Sequence, residues 1–335
     1  MSRRRRRFTA AAAAAAAGLA RATHVGRIGG WLAKAATATA VALSVIAGGV
    51  AFASPASAAT LTQVDDFGYN PTNLRMYEYV PAKLPRHPAV LVAAHWCGGS
   101  GPDMFNGSEF ASLADQYGFI VVYPSITGEI KCWDVASDAA LKHDGSSDPA
   151  GVMSMVRWEI ANRGANQHRV YMTGISSGSM LTNVMLADYP DVFKAGAAFM
   201  GVPYHCFYTG TFRGWNSDCS TGNITKTPQE WGDLVRAAYP GYHGPRPRVQ
   251  LWHGTQDTAL DHHNLGEEIK QWTDVLGVSQ TPVLTDQPQP IWTRTRYGSA
   301  GPRPPVEANS FQGYGHELPK PGMALLALKF MGLAP

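Results

Sequence analysis

The first 58 of 335 residues contain no aspartate and no glutamate. Their charge is of one sign, supplied by Arg3 to Arg7, Arg21, Arg27 and Lys34. The other 277 residues lack any basic excess, with 20 Lys or Arg against 25 Asp or Glu, a formal −5. A nucleic-acid footprint is thereby excluded from that part. Charge is sparse in the whole chain, at 16% of residues, while 45% are hydrophobic. That balance excludes disorder and predicts a large buried core. The four cysteines include no C-x-x-C pair, which argues against a zinc site. No Pro-, Gly- or Ser-rich linker and no internal repeat divides residues 59–335, so they read as one domain.

The acid-free segment is organised as an address. Residues 36–53 form an uncharged apolar run after Arg27 and Lys34, and Ala56-Ser57-Ala58 follows as an A-x-A site. This is the layout of a secretory signal peptide over 1–58. The run is short for a bilayer span and rich in Ala and Gly, so no lasting membrane association is expected. Arg5–Phe8 hints at a twin-arginine route, but a start at Val25 would leave a signal peptide of ordinary length. Export to an oxidising compartment turns Cys97, Cys132, Cys206 and Cys219 into two expected disulfides. Of the three possible pairings, the nearest neighbours Cys97–Cys132 and Cys206–Cys219 are expected. The secreted chain is read as a monomer.

Apolar runs alternate with helical patterns along the rest. Strands are expected over Leu74–Val80, Ala89–Ala94, Phe119–Tyr123, Val170–Thr173, Ala195–Met200 and Val249–Trp252. Helices are expected over about 103–117, 147–163, 178–188, 228–239 and 263–275. The alternation predicts an α/β fold, a mostly parallel sheet with helices on both faces. Residues 202–227 break the rhythm and read as an insertion over one end of that sheet.

One motif carries chemistry. Gly174-Ile175-Ser176-Ser177-Gly178 is G-x-S-x-G, placed between a strand and a helix as a nucleophile elbow requires. A serine hydroxyl needs a base, and the base needs an orienting carboxylate. In this architecture the chain order is Ser, then acid, then His. Asp257 follows the strand V-Q-L-W and suits the acid, whereas Asp261, Glu267 and Glu268 fall in the next helix and read as solvated. His316, between a strand-like V-E-A-N-S-F and the last helix, is the expected base; His262 and His263 lie too close to Asp257. Two backbone N–H donors must receive the oxyanion. Ser177 supplies one, and the Gly-rich turn His95-Trp96-Cys97-Gly98-Gly99 supplies the other, with Cys97 first and Trp96 second. His95 itself is read as holding this loop. No cofactor and no metal are expected.

The strings A-H-W-C-G-G (94–99), C-W-D-V-A-S (132–137), G-I-S-S-G-S-M-L-T-N-V (174–184), G-W-N-S-D-C (214–219) and W-H-G-T-Q-D (252–257) resemble the secreted esterases of carbohydrate esterase family 1. The wider group includes polyhydroxybutyrate depolymerases. The resemblance implies an α/β-hydrolase fold and a metal-free mechanism on Ser176, Asp257 and His316. It implies action on acetylxylan or feruloyl esters, with polyester depolymerisation and acyl transfer to a sugar as the rivals. Trp96 stands where similar chains have Gly or Tyr, which implies a different mouth for the acyl pocket. Trp215 lies where similar esterases stack a sugar. Its residues alone leave open whether it does so or packs against the Cys206–Cys219 loop. The substrate is expected to be a polysaccharide or a polyester. Only 19 residues follow His316, so no added polymer-binding module is expected there.

Overall fold

The computed structural model describes residues 59–335, so the signal peptide expected over 1–58 and the alternative start expected at Val25 lie outside the described residues. The strands are β1 (Thr62–Val64), β2 (Arg75–Tyr79), β3 (Ala89–Ala94), β4 (Phe119–Ser125), β5 (Val170–Ile175), β6 (Phe193–Phe199), β7 (Arg248–Gly254), β8 (Leu284–Gln289), β9 (Trp292–Tyr297) and β10 (Val306–Phe311). The helices are α1 (Gly101–Asn106), α2 (Phe110–Tyr117), α3 (Asp148–Arg163), α4 (Ser177–Asp188), α5 (Ser217–Ser220), α6 (Pro228–Ala238), α7 (His263–Val275) and α8 (Met323–Met331).

One sheet runs in the order β1-β2-β4-β3-β5-β6-β7-β10-β9-β8. The six strands from β4 to β10 are parallel. The two at each edge join antiparallel. A strand apolar at every position needs cover on both faces, and β3 and β4 are buried along their whole length. Successive side chains point to opposite faces. Val90, Val92 and Met172 meet α3, α4, α6 and α7 through Met153, Leu181, Trp231 and Trp272. Leu91, Tyr171 and Phe199 meet α1, α2 and α8 through Met104, Phe110 and Leu328. Each such side chain stabilises the fold by roughly 2 kcal/mol when fully buried. β6 is cut small so that α4 can sit close: a Cβ on Gly196 would lie 2.8 Å from Leu186 Cδ1.

The structure departs from expectation in three places. The helix expected over 103–117 is two helices: Gly107 N–H to Asp103 O at 2.8 Å is the last helical bond of the first, and Ser108 Oγ, in place of its backbone N–H, then donates to Met104 O at 2.7 Å. The β8–β9 hairpin carries no apolar period in its outer strand, which holds Pro288 and is tolerated as a sheet edge. Glu267 and Glu268, read as solvated, are each 1% exposed. α7 is covered by α6 on one side and the sheet on the other. Its carboxylates therefore take donors from those neighbours: Glu267 from Trp231 Nε1 and Lys270 Nζ, and Glu268 from Asn183 Nδ2 at 2.6 Å. Burial pushes Glu268 up to about 8, against the opposing Asn183 bond. No described helix is long and apolar enough to cross a membrane.

Candidate active site

β5 ends at Ile175 and α4 begins at Ser177, so Ser176 alone makes the turn. Its backbone sits at φ 57° and ψ −118°, a strained conformation for a residue with a Cβ. Ser176 N–H donates to Phe199 O at 2.9 Å and holds the turn against β6. A Cβ at Gly174 would lie 2.1 Å from Gly178 O, and one at Gly178 would lie 2.3 Å from Ala94 O. Crowding therefore forces both glycines of the motif, as a nucleophile elbow demands.

Asp257 follows β7, and its side chain is wholly buried. The N–H groups of Ala259 and Leu260 both donate to Oδ1 at 2.9 Å. Oδ2 faces His316 Nδ1 at 2.6 Å and His253 Nε2 at 3.3 Å. Burial alone would raise this carboxyl, but the bonds from His253, His316 and the Leu260 N–H outweigh it and hold the group well below the usual carboxylate range. His316 comes from the loop between β10 and α8 with its ring one-quarter exposed. Donating Nδ1–H to a carboxylate leaves Nε2 as the free acceptor. That loop passes tightly under the acid: a Cβ on Gly254 would lie 2.3 Å from Tyr314 O. Ser176 and His316 line one cleft. The serine hydroxyl makes no hydrogen bond among the described residues, and such contacts tighten in the substrate complex.

The loop after β3 is tied down from the far side. Cys97 is bonded to Cys132 and Cys206 to Cys219. The next residue, Trp133, donates its backbone N–H to Ser177 Oγ at 2.8 Å and its indole N–H to His95 O at 2.8 Å. Among the described residues no acceptor meets the N–H of Cys97 or of Ser177. The cleft, about 410 Å³, is walled by Trp96, Met180, Met200, Trp215, Leu260 and Leu318. Trp215 stands 56% exposed at its mouth, edge-on to Phe207 at 4.9 Å between ring centres. Phe207, not Trp215, fills the inner place beside the Cys206–Cys219 loop. His262 bonds Ser310 Oγ and His263 pairs with Glu267, both away from the cleft. His253, fully buried against the acid, was not singled out from the sequence; its place in W-H-G-T-Q-D, four positions before Asp257, was the available signal. No group of three or more His, Cys, Asp or Glu converges to hold a metal ion among the described residues.

A family model described as Esterase PHB depolymerase matches residues 74–210. An acetylxylan esterase of Coprinopsis cinerea is 46% identical over 280 residues, covering 82% of this chain and 74% of its own. A feruloyl esterase B of Talaromyces funiculosus is 45% identical over 265 residues, covering 78% and 74%. This chain belongs to the acetylxylan and feruloyl esterase family. The solved acetyl xylan esterase from Aspergillus awamori superposes with a TM-score of 0.77 at 41% identity, over 82% of this chain and all of that one. The esterase thus has the α/β-hydrolase fold and is a carboxylic ester hydrolase. Its elbow, acid loop and histidine loop all emerge at the carboxyl edge of the parallel strands, where such sheets bind ligands.

Proposed function

We propose that residues 59–335 form a single catalytic domain, exported behind a 1–58 signal peptide, that removes acetyl groups from xylan as a monomer. Ser176 Oγ attacks the ester carbonyl and passes its proton to His316 Nε2. Asp257 holds the imidazole and stabilises its charge. Ser177 and Cys97 N–H groups receive the oxyanion. Collapse expels the sugar alcohol, which takes the proton back from His316, and water then cleaves the acyl-enzyme by the same steps. The observation that carries this reading is one apolar cleft holding both a serine on a strained elbow and a histidine already bonded to a buried carboxylate. A second reading, feruloyl ester hydrolysis, is favoured by the cleft's volume of about 410 Å³, which falls in the range of small-molecule sites.

A panel of acetylated xylan, methyl ferulate and polyhydroxybutyrate film separates the substrates. Fastest release of acetate is expected; fastest depolymerisation of the film would refute the reading. Ser176→Ala is expected to abolish hydrolysis of p-nitrophenyl acetate, and retained activity would remove Ser176 from its role.

A further inference from the structure

An oxyanion donor works only if its N–H is aimed at the developing charge before reaction begins. The N–H of Cys97 and the carbonyl of Trp96 belong to one rigid peptide unit, and in a trans peptide they point in opposite directions. Whatever pulls on Trp96 O therefore turns Cys97 N–H. Two donors pull on it: His95 Nδ1 at 2.7 Å and Gly99 N at 3.0 Å. On the other side of the ring, Ile126 N–H donates to His95 Nε2 at 3.3 Å. A backbone N–H can only donate and a carbonyl can only accept. These two partners admit one neutral tautomer, with the proton on Nδ1 and a lone pair on Nε2. The ring is wholly buried and lies 4.8 Å from the Trp133 ring. Burial lowers its pKa to about 4, opposed by the Trp96 carbonyl and Asp103 and reinforced by Lys131 and Arg213.

We propose that His95 is a positioning residue of the oxyanion hole: its Nδ1–H fixes the Trp96 carbonyl, so that the Cys97 N–H on the same peptide is aimed into the cleft. The inference rests on the reading of Cys97 as an oxyanion donor. His95 does not line the cleft, whereas Trp96 and Cys97 do, so its effect is transmitted through the peptide plane. Ile126 sets the tautomer and the tautomer sets the plane.

Two variants separate aiming from mere support. His95→Gln keeps an amide near the Nε2 position for Ile126 and loses the Nδ1 donor. His95→Asn keeps an N–H near the Nδ1 position and loses the contact to Ile126. With p-nitrophenyl acetate, His95→Gln is expected to lose about 10- to 100-fold in kcat with little change in KM, a part of what deleting a donor outright removes. His95→Asn is expected to recover most of that loss. Equal losses in both variants that follow their thermal midpoints, or an unchanged kcat in His95→Gln, would overturn the proposal. Should neither variant fold, ¹⁵N NMR of the histidine-labelled parent enzyme at pH 7 decides: a protonated Nδ1 and a bare Nε2 are expected at His95, and a proton on Nε2 would overturn it. Ser176→Ala tests the esterase reading independently, since retained hydrolysis there refutes that reading and leaves the His95 tautomer unaffected.

Discussion

Asp257→Asn changes one oxygen to NH₂, and the surroundings dictate which one. Oδ1 accepts two backbone N–H bonds, from Ala259 and Leu260. An amide nitrogen has no acceptor to offer them, so the variant must keep its oxygen there. The NH₂ then occupies the Oδ2 position, 2.6 Å from His316 Nδ1, while His253 Nε2 loses its acceptor there and keeps the Leu260 carbonyl at 2.8 Å. Facing a donor, Nδ1 must accept, and the imidazole proton moves to Nε2. The ring then cannot take the Ser176 proton. Where an aspartate-to-asparagine change imposes the wrong tautomer in such a triad, kcat falls about 10⁴-fold, equivalent to roughly 5 kcal/mol of barrier. Steady-state hydrolysis of p-nitrophenyl acetate, with circular dichroism to verify the fold, measures this. The fold should survive, because both loop-closing bonds to Oδ1 are kept. A loss below about tenfold in kcat, with the fold intact, would show that Asp257 does not set the tautomer and would refute the reasoning. Asp257 is held well below the usual carboxylate range, so it stays ionised through mildly acid pH and does not produce an acid limb there.

Glu268 is raised from 4.5 to about 8 on burial, so the folded state binds its proton more tightly than the unfolded one. Its stabilising contribution is full below about pH 4.5 and is lost as pH rises toward 8. Glu268→Gln is therefore expected to melt higher than the parent at pH 8.5 and close to it at pH 4.5, as read by thermal denaturation. Replacing Cys206 and Cys219 together by Ser opens a loop spanning a sequence separation of 13 and is expected to lower stability by about 3 kcal/mol in urea titrations. Trp215→Ala should raise KM on acetylated xylan while leaving p-nitrophenyl acetate hydrolysis nearly unchanged, since the indole stands exposed at the cleft mouth, where the proposed function has it stack on the polymer; parallel changes on both substrates would place it in the acyl pocket instead.

The central parallel strands β3, β4 and β5 were legible because each is a mostly apolar run with no polar partner face. β3 and the first five residues of β4 fall on the segments read from hydrophobicity alone. The elbow was legible because crowding at Gly174 and Gly178 leaves a fixed signature around the serine. Chain order then placed Asp257 and His316 in loops that the fold brings to a 2.6 Å contact. What escaped the sequence depends on neighbours distant along the chain. Glu268 has the composition of a surface helix residue, and only Asn183, 85 positions earlier, gives it a buried partner. The role proposed for His95 is equally unreadable, because it depends on Ile126, 31 residues on, donating the bond to its Nε2. The edge hairpin β8–β9 escaped because an edge strand can be polar on both faces.

The cleft walls carry no carboxylate and no Lys or Arg. Its charged chemistry is kept behind the surface, in the wholly buried Asp257 carboxylate and in oriented backbone N–H groups. A neutral wall cannot attract an ester by its field, so the proposed function rests binding on contact with Trp96, Trp215 and the two methionines of the cleft wall. The same absence favours catalysis. With no fixed cation in the cleft wall, the proposed mechanism leaves the oxyanion to preoriented dipoles, which act most strongly where water is excluded. A dipole is only as effective as its aim. On the proposed mechanism, the loop from His95 to Cys97, pinned by Cys132, Trp133 and Ile126, is as consequential for rate as the proposed triad of Ser176, Asp257 and His316 that it faces.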